Sequence, residues 1–374
     1  VYKRQLISYW LEGKVADDKI YYREPDFYEK NNVKTIFSTR AEKIENGCVV
    51  LDNGEKVQYD KLLVATGSKP FVPPMKGLDE VEDKFTFMTW DSAKAIREKV
   101  TAGTKVLIIG AGLIGLKCAE ALHHLNADIT VVDLADRILP SILDVRAGEI
   151  MQKHIEDKGT KFILGTSVEQ FSKNSAKLTN GDTVDFDILV VAVGVRPNTE
   201  LVSDAGGKVE KGIITDLHQQ TTIDLSLIHI SEPTVSHDCS SNTDRILALL
   251  PNAFMQGEVA GKNMAGEETL YLNAIPMNAI GFYGLHIITA GSYDGDEDIT
   301  EDADKEIYKK LVFKDGLLKG FILMGDVARA GIYTSMIKEQ IPLTEVDLDL
   351  LREKPQMMMF GKARREEKLA GKKH

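Results

Sequence analysis

Three glycines that follow an apolar run carry the clearest chemical signal in the sequence. They are Gly110, Gly112 and Gly115 within KVLIIGAGLIGLKCAEAL, and their spacing is Gly-x-Gly-x-x-Gly. Glycine permits a tight turn and a close approach of the backbone to a pyrophosphate. A helix that begins there directs backbone N–H groups, including those of Leu113 and Ile114, at the phosphates. We therefore predict that these five residues bind a dinucleotide.

The sequence around this loop supports the prediction. An apolar strand precedes the loop, a helix follows it, and a second strand, DITVVD, ends in Asp133. A carboxylate about 20 residues beyond the glycines is where such sites bind a ribose 2′-OH. It would repel the 2′-phosphate of NADPH, so we expect NADH, although Arg137 could soften the preference. A glycine-rich turn in a nucleotide-free α/β unit is the alternative.

The chain also contains an internal repeat. LDNGEKVQYDKLLVATGSKP, residues 51–70, aligns without a gap with LTNGDTVDFDILVVAVGVRP, residues 178–197, and ten of the twenty positions are identical. Each copy has an Asn-Gly pair, which favours a hairpin turn, because Gly tolerates positive φ. Each then has an apolar run typical of a strand buried on both faces. The repeat predicts two related domains.

The repeat also predicts a second glycine loop. The two copies are 127 residues apart, so the partner of the loop at Gly110 would lie before Val1. We therefore expect the chain to be a fragment that lacks the first strand, phosphate loop and helix of its first domain. The absence of an initial Met agrees with that expectation.

Length, charge and cysteine content limit the class of function. The 374 residues are enough for two or three domains, and the net charge of −11 argues against general nucleic-acid binding. No apolar run reaches the roughly 18 residues of a membrane span. Cys48, Cys118 and Cys239 are far apart and form no C-x-x-C, so we expect neither a redox dithiol nor a metal site. A cytoplasmic protein is the simplest interpretation.

Together these motifs resemble those of FAD-dependent pyridine nucleotide oxidoreductases, in particular the NADH–rubredoxin reductase and nitrite reductase flavoprotein group. The resemblance runs from about Leu6 to Leu343 with one break, and its motifs are specific in combination. Besides the glycine loop they are LLVATGS (62–68), VVAVGVRPN (190–198), ALLPNAFMQGEVAGKNMAG (248–266), NAIPMNAIGFYGLHIITAGS (273–292) and LVFKDGLLKGFILMGDVARAGIYTSMI (311–337).

The resemblance implies an α/β fold with two Rossmann-like dinucleotide-binding domains and a small α+β C-terminal domain. The FAD-binding domain would be discontinuous and would lack its N-terminal βα unit. The expected divisions are 1–94 with 198–268 for FAD, 95–197 for NAD, 269–345 for the C-terminal reductase domain and 346–374 for a charged tail.

The resemblance also assigns residues to the cofactors. Ala65, Thr66 and Gly67 would lie beside FAD, because small residues suit a close approach, and Gly194 would lie near the nicotinamide. The opening YKRQLIS resembles a Tyr-x-Arg-Pro-x-x-Ser helix beside the flavin ring. Arg4 would then face the flavin, although Gln5 replaces the usual Pro.

The implied enzyme passes a hydride from NADH to FAD and then single electrons to a small iron protein such as rubredoxin or to an associated metal centre. The hydride step needs no side-chain acid or base, so we name no catalytic residue. The first helix has Ser8 but no Cys, which disfavours a redox-cysteine mechanism, and Cys118 is expected in the core. The alternatives are an NADH oxidase that uses oxygen and a non-catalytic NAD-binding fragment. An oligomer is compatible with the sequence.

One acidic segment, DGDEDITEDADKE at residues 294–306, invites interpretation as a docking surface. We expect a solvated loop before a strand at 307–313 instead. Rubredoxins are acidic as a family, so this segment would repel one. Basic residues elsewhere would have to bind such a partner.

One stretch departs from the resemblance. A run of the type Tyr-Ala-Ala-Gly-Asp, whose Asp binds the ribityl chain of FAD, is expected shortly after Gln220 and Thr221, but residues 225–233 read LSLIHISEP. Loss of that Asp would remove a charge-assisted hydrogen bond worth roughly 1.5–3 kcal/mol. SLIHISEPT resembles translated sequencing-adapter DNA, so we hypothesise an assembly artefact. Native codons for this stretch in the source gene would refute the hypothesis.

Overall fold

The structure is a computed structural model that describes residues 4–45, 47–223, 227–229, 235–247 and 249–370. The chain divides into two units, which we call unit 1 and unit 2. Unit 1 contains residues 1–40, 68–196 and 282–284. Unit 2 contains residues 41–67, 197–281 and 285–374.

The strands are numbered in chain order through both units. They are β1 (Ala41–Glu45), β2 (Cys48–Leu51), β3 (Lys56–Gln58), β4 (Leu62–Val64), β5 (Ser68–Pro70), β6 (Lys84–Phe85), β7 (Lys105–Ile109), β8 (Asp128–Asp133), β9 (Lys161–Leu164), β10 (Val168–Ser172), β11 (Ser175–Leu178), β12 (Thr183–Asp185), β13 (Ile188–Val191), β14 (Val195–Pro197), β15 (Leu227–His229), β16 (Val235–Asp238), β17 (Thr243–Ile246), β18 (Met277–Phe282), β19 (Leu285–Gly291), β20 (Asp296–Asp302), β21 (Ile307–Lys314) and β22 (Leu317–Met324).

The α-helices are numbered in the same way. They are α1 (Ile7–Leu11), α2 (Phe27–Lys30), α3 (Trp90–Lys99), α4 (Leu113–His123), α5 (Val145–Glu156), α6 (Glu200–Ser203), α7 (Leu250–Met264), α8 (Ala330–Lys338), α9 (Leu348–Glu353) and α10 (Lys362–Leu369).

Unit 1 is built on a five-stranded parallel sheet with the strand order β6-β13-β7-β8-β9. Every residue of β13 is buried, and so are four of the five residues of β7. Continuous burial explains why both strands are apolar throughout rather than alternating. Helices α4 and α5 connect the parallel strands, and the Asp144 carboxylate caps α5 by accepting from the Ala147 N–H at 2.9 Å. This is the Rossmann-like arrangement that the glycine loop predicts.

Unit 2 contains the first copy of the repeat, short two-stranded sheets and a larger antiparallel sheet. The larger sheet has the order β18-β19-β22-β21-β20, and α8 packs against it. Its core includes Phe321, Tyr333, Leu351, Met359 and Phe360. The last three residues follow Leu343, so the sequence beyond the strands contributes apolar side chains to the same core.

The acidic segment at residues 294–306 is not a loop, and that expectation is wrong. Seven of its residues form β20, which pairs antiparallel with β21 at the edge of the sheet. Some of its acidic side chains have basic neighbours, since Arg352 reaches Asp298 at 2.6 Å and Lys314 reaches Asp294 at 2.7 Å. Charge density alone favoured a loop because the cations come from positions distant in sequence.

The unusual stretch at residues 225–233 lies partly outside the described residues. Leu227–His229 forms β15, which runs parallel to β4 and pairs Leu227 with Leu62 and His229 with Val64. Residues 224–226 and 230–234 lie outside the described part. A short strand at this place does not test the origin of the stretch, so the artefact hypothesis stays a hypothesis.

Candidate dinucleotide-binding sites

The glycine loop of unit 1 has the geometry of a phosphate-binding turn. Gly110 follows β7 with φ of +114°, and a Cβ there would lie 2.4 Å from the Ala192 carbonyl oxygen. A Cβ on Gly115 would lie 1.9 Å from the carbonyl oxygen of Gly110. A Cβ on Gly112 would meet no atom of the described residues within 4 Å. The folded chain therefore leaves no room for a side chain at Gly110 or Gly115, whereas Gly112 faces open space.

The N-terminus of α4 presents backbone donors beside that open space. Gly112 is the N-cap residue, and no side chain caps the helix there. The first N–H groups of a helix, here including those of Leu113 and Ile114, have no partner within the helix. Together with the partial positive charge of the helix end, they suit an anionic group such as a pyrophosphate.

Asp133 ends β8, and its carboxylate accepts hydrogen bonds from the backbone of the glycine loop and of the residues after β8. Its Oδ2 accepts from the Ala111 N–H at 2.6 Å, and its Oδ1 accepts from the Ala135 N–H at 2.7 Å. The Leu139 N–H donates to the Ala111 carbonyl at 3.0 Å. A carboxylate has about four acceptor positions, so capacity for a ribose hydroxyl remains.

Two other residues of unit 1 were expected near the nucleotide. Gly194 lies three residues beyond β13 and has φ of +127°. No atom in the described ranges lies within 4 Å of a Cβ added there. Its carbonyl accepts from the Phe71 N–H at 2.9 Å. Arg137 pairs with Asp136 at 3.1 Å, and its buried Nε has no hydrogen-bond partner within the described residues.

In unit 2 the residues expected beside FAD form a loop directly after β4. Gly67 has φ of +63°, and among the described residues no atom lies within 4 Å of an added Cβ. The Thr66 hydroxyl donates to the Asn198 carbonyl at 2.7 Å. The Asn198 side-chain amide donates to the Thr66 carbonyl at 2.9 Å. Asn198 ends the motif VVAVGVRPN, and nothing in the sequence alone indicated a role for it.

Three further residues with expected roles are Arg4 and Ser8 near the N-terminus and Cys118 in α4. Arg4 begins a short 3₁₀ turn at Arg4–Leu6, but its side chain lies outside the described ones, so its role stays a prediction. Ser8 is buried in α1. Cys118 is fully buried in α4, as predicted, and burial raises the pKa of its thiol. A thiol in that environment is not poised as a nucleophile.

Sequence reasoning missed a buried carboxylate in unit 2. Asp238 ends β16 with no exposed surface, and its Oδ1 accepts from the Ser240 N–H at 2.9 Å and the Ser240 hydroxyl at 2.6 Å. Its Oδ2 lies 3.0 Å from Nε of Arg245, yet accepts no hydrogen bond from any described residue. Asp238 lies outside residues 225–233, where the resemblance indicated that the flavin-binding Asp was missing. The available signal was that the matching flank resumes with TVSHDC, which contains Asp238.

These features fit dinucleotides on structural grounds. The glycine loop excludes side chains where a pyrophosphate would approach, and Asp238 has a buried oxygen able to accept from a hydroxyl. The Ser68 hydroxyl, which follows Gly67, is also buried without a hydrogen-bond partner among the described residues. Buried polar atoms of this kind ordinarily have partners, so a bound group that offers them would stabilise the protein.

Two negative findings apply to the described part of the chain. No helix there is both long enough and apolar enough to cross a lipid bilayer. No cluster of three or more His, Cys, Asp or Glu side chains there is arranged to hold a metal ion.

A parallel sheet with this glycine loop, and a related repeat beside a second open loop, define the class of two-dinucleotide oxidoreductases. The chain belongs to the pyridine nucleotide-disulphide oxidoreductase family, whose model matches residues 1–228. A second model, the rubredoxin NAD+ reductase C-terminal domain, matches residues 276–341.

Named relatives agree with this assignment. The chain is similar to the epsilon subunit of NADH-dependent phenylglyoxylate dehydrogenase from Aromatoleum evansii, with 31% identity over 92% of this chain and 84% of the relative. It is 27% identical to the NADH-rubredoxin oxidoreductase of Clostridium acetobutylicum, over 87% of this chain and 82% of the relative. The assimilatory nitrate reductase electron transfer subunit of Bacillus subtilis is 30% identical over 91% of this chain, which spans only 44% of that protein.

Solved structures share the fold. The putidaredoxin reductase in a covalent complex with putidaredoxin has a TM-score of 0.87 at 22% identity, covering 94% of this chain and 87% of that one. An NAD-dependent persulfide reductase from A. fulgidus has a TM-score of 0.83 at 25% identity, covering 92% of this chain and 71% of that one.

The predictions of family, fold class and cofactors are confirmed. The chain is an FAD-dependent flavoprotein oxidoreductase that uses a nicotinamide dinucleotide. The roles of individual residues and the domain boundaries are not decided by similarity, and they stay predictions.

Proposed function

We propose that this enzyme oxidises NADH and passes the electrons through FAD to a small iron protein of the rubredoxin type or to an associated metal centre. The observation that carries the proposal is the presence, in one chain, of an NAD-type glycine loop and a rubredoxin reductase C-terminal domain. Relatives named NADH-rubredoxin oxidoreductase and nitrate reductase electron transfer subunit support it.

For NADH binding, we assign the pyrophosphate to Gly110, Gly112 and Gly115 with the N–H groups of Leu113 and Ile114. The open side of Gly112 and the uncapped helix support this role. Asp133 would bind the adenosine ribose and discourage NADPH, because a carboxylate repels a 2′-phosphate. Gly194, open and in the left-handed region, would leave room beside the nicotinamide.

For FAD, we assign the loop Ala65–Gly67, Arg4 and Asp238. Asp238 takes the role that the resemblance gives to an Asp near this position, and its buried, incompletely bonded oxygen supports the assignment. Bound FAD would supply the redox chemistry, accepting two electrons from NADH and releasing them singly. The protein's own contribution is to bind and orient the two cofactors, so no residue is proposed as an acid or base.

We further propose that the domains follow the repeat. Residues 1–94 with 198–268 would form the FAD-binding domain, and 95–197 the NAD-binding domain. Residues 269–345 would form the C-terminal domain, and 346–374 a charged tail whose Leu351, Met359 and Phe360 pack in the core of unit 2. A cytoplasmic location is also proposed, because all three cysteines are free and buried.

The direct test is a visible absorption spectrum of the purified chain after incubation with FAD and gel filtration. A retained flavin band that NADH bleaches without oxygen is the expected result. Rubredoxin should then raise NADH turnover well above the rate with oxygen alone. A chain that releases all its flavin would refute FAD-dependent activity for this polypeptide.

An NADH oxidase is the second candidate. A relative of that name from Methanocaldococcus jannaschii is 32% identical over 71% of this chain and 62% of its own length. The discriminating measurement is oxygen consumption per NADH with and without rubredoxin. Equal NADH turnover in both conditions would favour the oxidase.

A further inference from the structure

We infer that Asn198 is a positioning residue for the FAD-side loop, and that Thr66 acts through Asn198 rather than by donating its hydroxyl proton to FAD. We call the paired residues Thr66 and Asn198 the clasp. The inference rests on the proposed role of the loop Ala65–Gly67 in FAD binding.

Three hydrogen bonds join Asn198 to the loop Ala65–Gly67. The Thr66 hydroxyl donates to the Asn198 carbonyl at 2.7 Å, and the Asn198 amide donates to the Thr66 carbonyl at 2.9 Å. The Asn198 backbone N–H donates to the Gly67 carbonyl at 2.9 Å. Both side-chain bonds are part-buried and join residues 132 positions apart. Together they fix the carbonyls of two of the three loop residues.

The internal repeat shows which of these bonds the fold itself requires. The position equivalent to Asn198 in the other copy is Phe71, and the position equivalent to Thr66 is Val193. The backbone bond recurs, since the Phe71 N–H donates to the Gly194 carbonyl at 2.9 Å, as the Asn198 N–H does to Gly67. Phe and Val side chains can form no equivalent clasp. The side-chain bonds are therefore an addition at one of two otherwise similar loops.

The chemistry of threonine limits what Thr66 can offer a ligand. Its hydroxyl has a single proton, which the bond to Asn198 already uses, so toward a ligand it can only accept a hydrogen bond. The clasp holds the backbone of the loop in one conformation. A loop already held in its bound shape loses less conformational freedom on binding, so the clasp should raise FAD affinity without touching FAD.

The test compares FAD affinity across four variants. Asn198→Ala removes the amide bond to the Thr66 carbonyl, and Thr66→Val removes the hydroxyl bond to the Asn198 carbonyl. We expect about tenfold weaker FAD binding for each, the size of one to two neutral hydrogen bonds. The double variant should lose less than the sum of the two single losses, because both bonds hold the same loop. Thr66→Ser keeps the hydroxyl and should bind like the original protein.

Asn53→Ala is the matched control for general destabilisation. Asn53 lies in the hairpin turn of the same unit, and within the described part of the chain its side chain bonds only to Glu55. Its loss should therefore lower the melting temperature and leave FAD affinity unchanged. Equal FAD affinity in Asn198→Ala and the original protein would overturn the clasp. Strictly additive losses in the double variant would do the same.

Hydrogen exchange of the FAD-free chain gives an independent measurement. The Asn198 backbone N–H should exchange faster in Thr66→Val than in Asn53→Ala, because the loop that shields it has loosened. An unchanged exchange rate would refute the clasp whether or not the chain binds FAD. If the original protein binds no FAD, the proposed function fails while exchange still decides this inference.

Discussion

Residues 41–70 and 168–197 fold in the same way in different surroundings. Strand β1 pairs with β2 through Ala41 and Leu51, and β10 pairs with β11 through Val168 and Leu178, each pair shifted by 127 positions. A register irregularity follows the first pair in both copies. The pairing of β2 with β3 recurs in that of β11 with β12. The two copies therefore share both their strand pairing and its irregularity.

The hairpin turns explain why the pairing is so well preserved. The Asn53 side chain accepts from the Glu55 N–H at 3.0 Å, and the Asn180 side chain accepts from the Asp182 N–H at 3.1 Å. Gly54 adopts φ of +84° after the first Asn. An Asn-Gly turn sets strand register from within a few residues, so neighbouring elements are not needed.

The copies differ in what surrounds their last apolar strand. Strand β13 lies between β6 and β7 in the parallel sheet and is buried throughout. Strand β4 pairs with β15 in a two-stranded sheet and is only partly buried. Local sequence thus determines the three-stranded meander, whereas burial depends on residues far away in the chain. The following predictions test that separation, starting with the largest effect.

Leu189 and Leu62 are equivalent leucines in the two copies, fully buried and partly buried respectively. Leu189→Ala should cost about 2–5 kcal/mol of unfolding free energy, because it leaves a cavity in a packed core. Leu62→Ala should cost clearly less, since solvent already reaches that side chain. Denaturant unfolding measures both. Equal costs would mean that burial does not distinguish the copies.

The two units have different proposed nucleotide-binding carboxylates, Asp133 for NADH in unit 1 and Asp238 for FAD in unit 2. Asp133→Asn should weaken NADH binding about 10–100-fold, because a charged acceptor typically contributes roughly 1.5–3 kcal/mol. Asp238→Asn should weaken FAD binding by a similar factor. Titration of each variant with each dinucleotide is the measurement. A variant that lost both affinities equally would contradict the separate assignments.

Asn53→Ala and Asn180→Ala are expected to have the smallest and most similar effects. Each removes the side-chain bonds of one hairpin turn, which should cost about 0.5–1.5 kcal/mol. Thermal unfolding of the two variants checks this. A difference of more than about 1 kcal/mol would show that surroundings, and not only local sequence, stabilise one of the turns.

Sequence was sufficient wherever the determinants are local. The glycine loop, the helix after it and both hairpins follow from neighbouring residues, and the repeat alone predicted two related domains. The acidic strand β20 was misjudged because Arg352, which neutralises Asp298, lies more than fifty positions away. Asn198 was missed for the same reason, since its partner Thr66 is 132 positions distant. Contacts of that range cannot be inferred from one sequence without a fold.

The acidic residues of β20 affect whether two copies of this protein can associate through their sheet edges. An exposed sheet edge presents unpaired N–H and C=O groups on which another chain can add a strand and begin to aggregate. The edge residues here include Asp296, Glu297, Asp298, Glu301 and Asp302. Two such edges would bring like charges together, so β20 discourages edge-to-edge association. The acidity that suggested a docking surface acts instead as a deterrent to self-association.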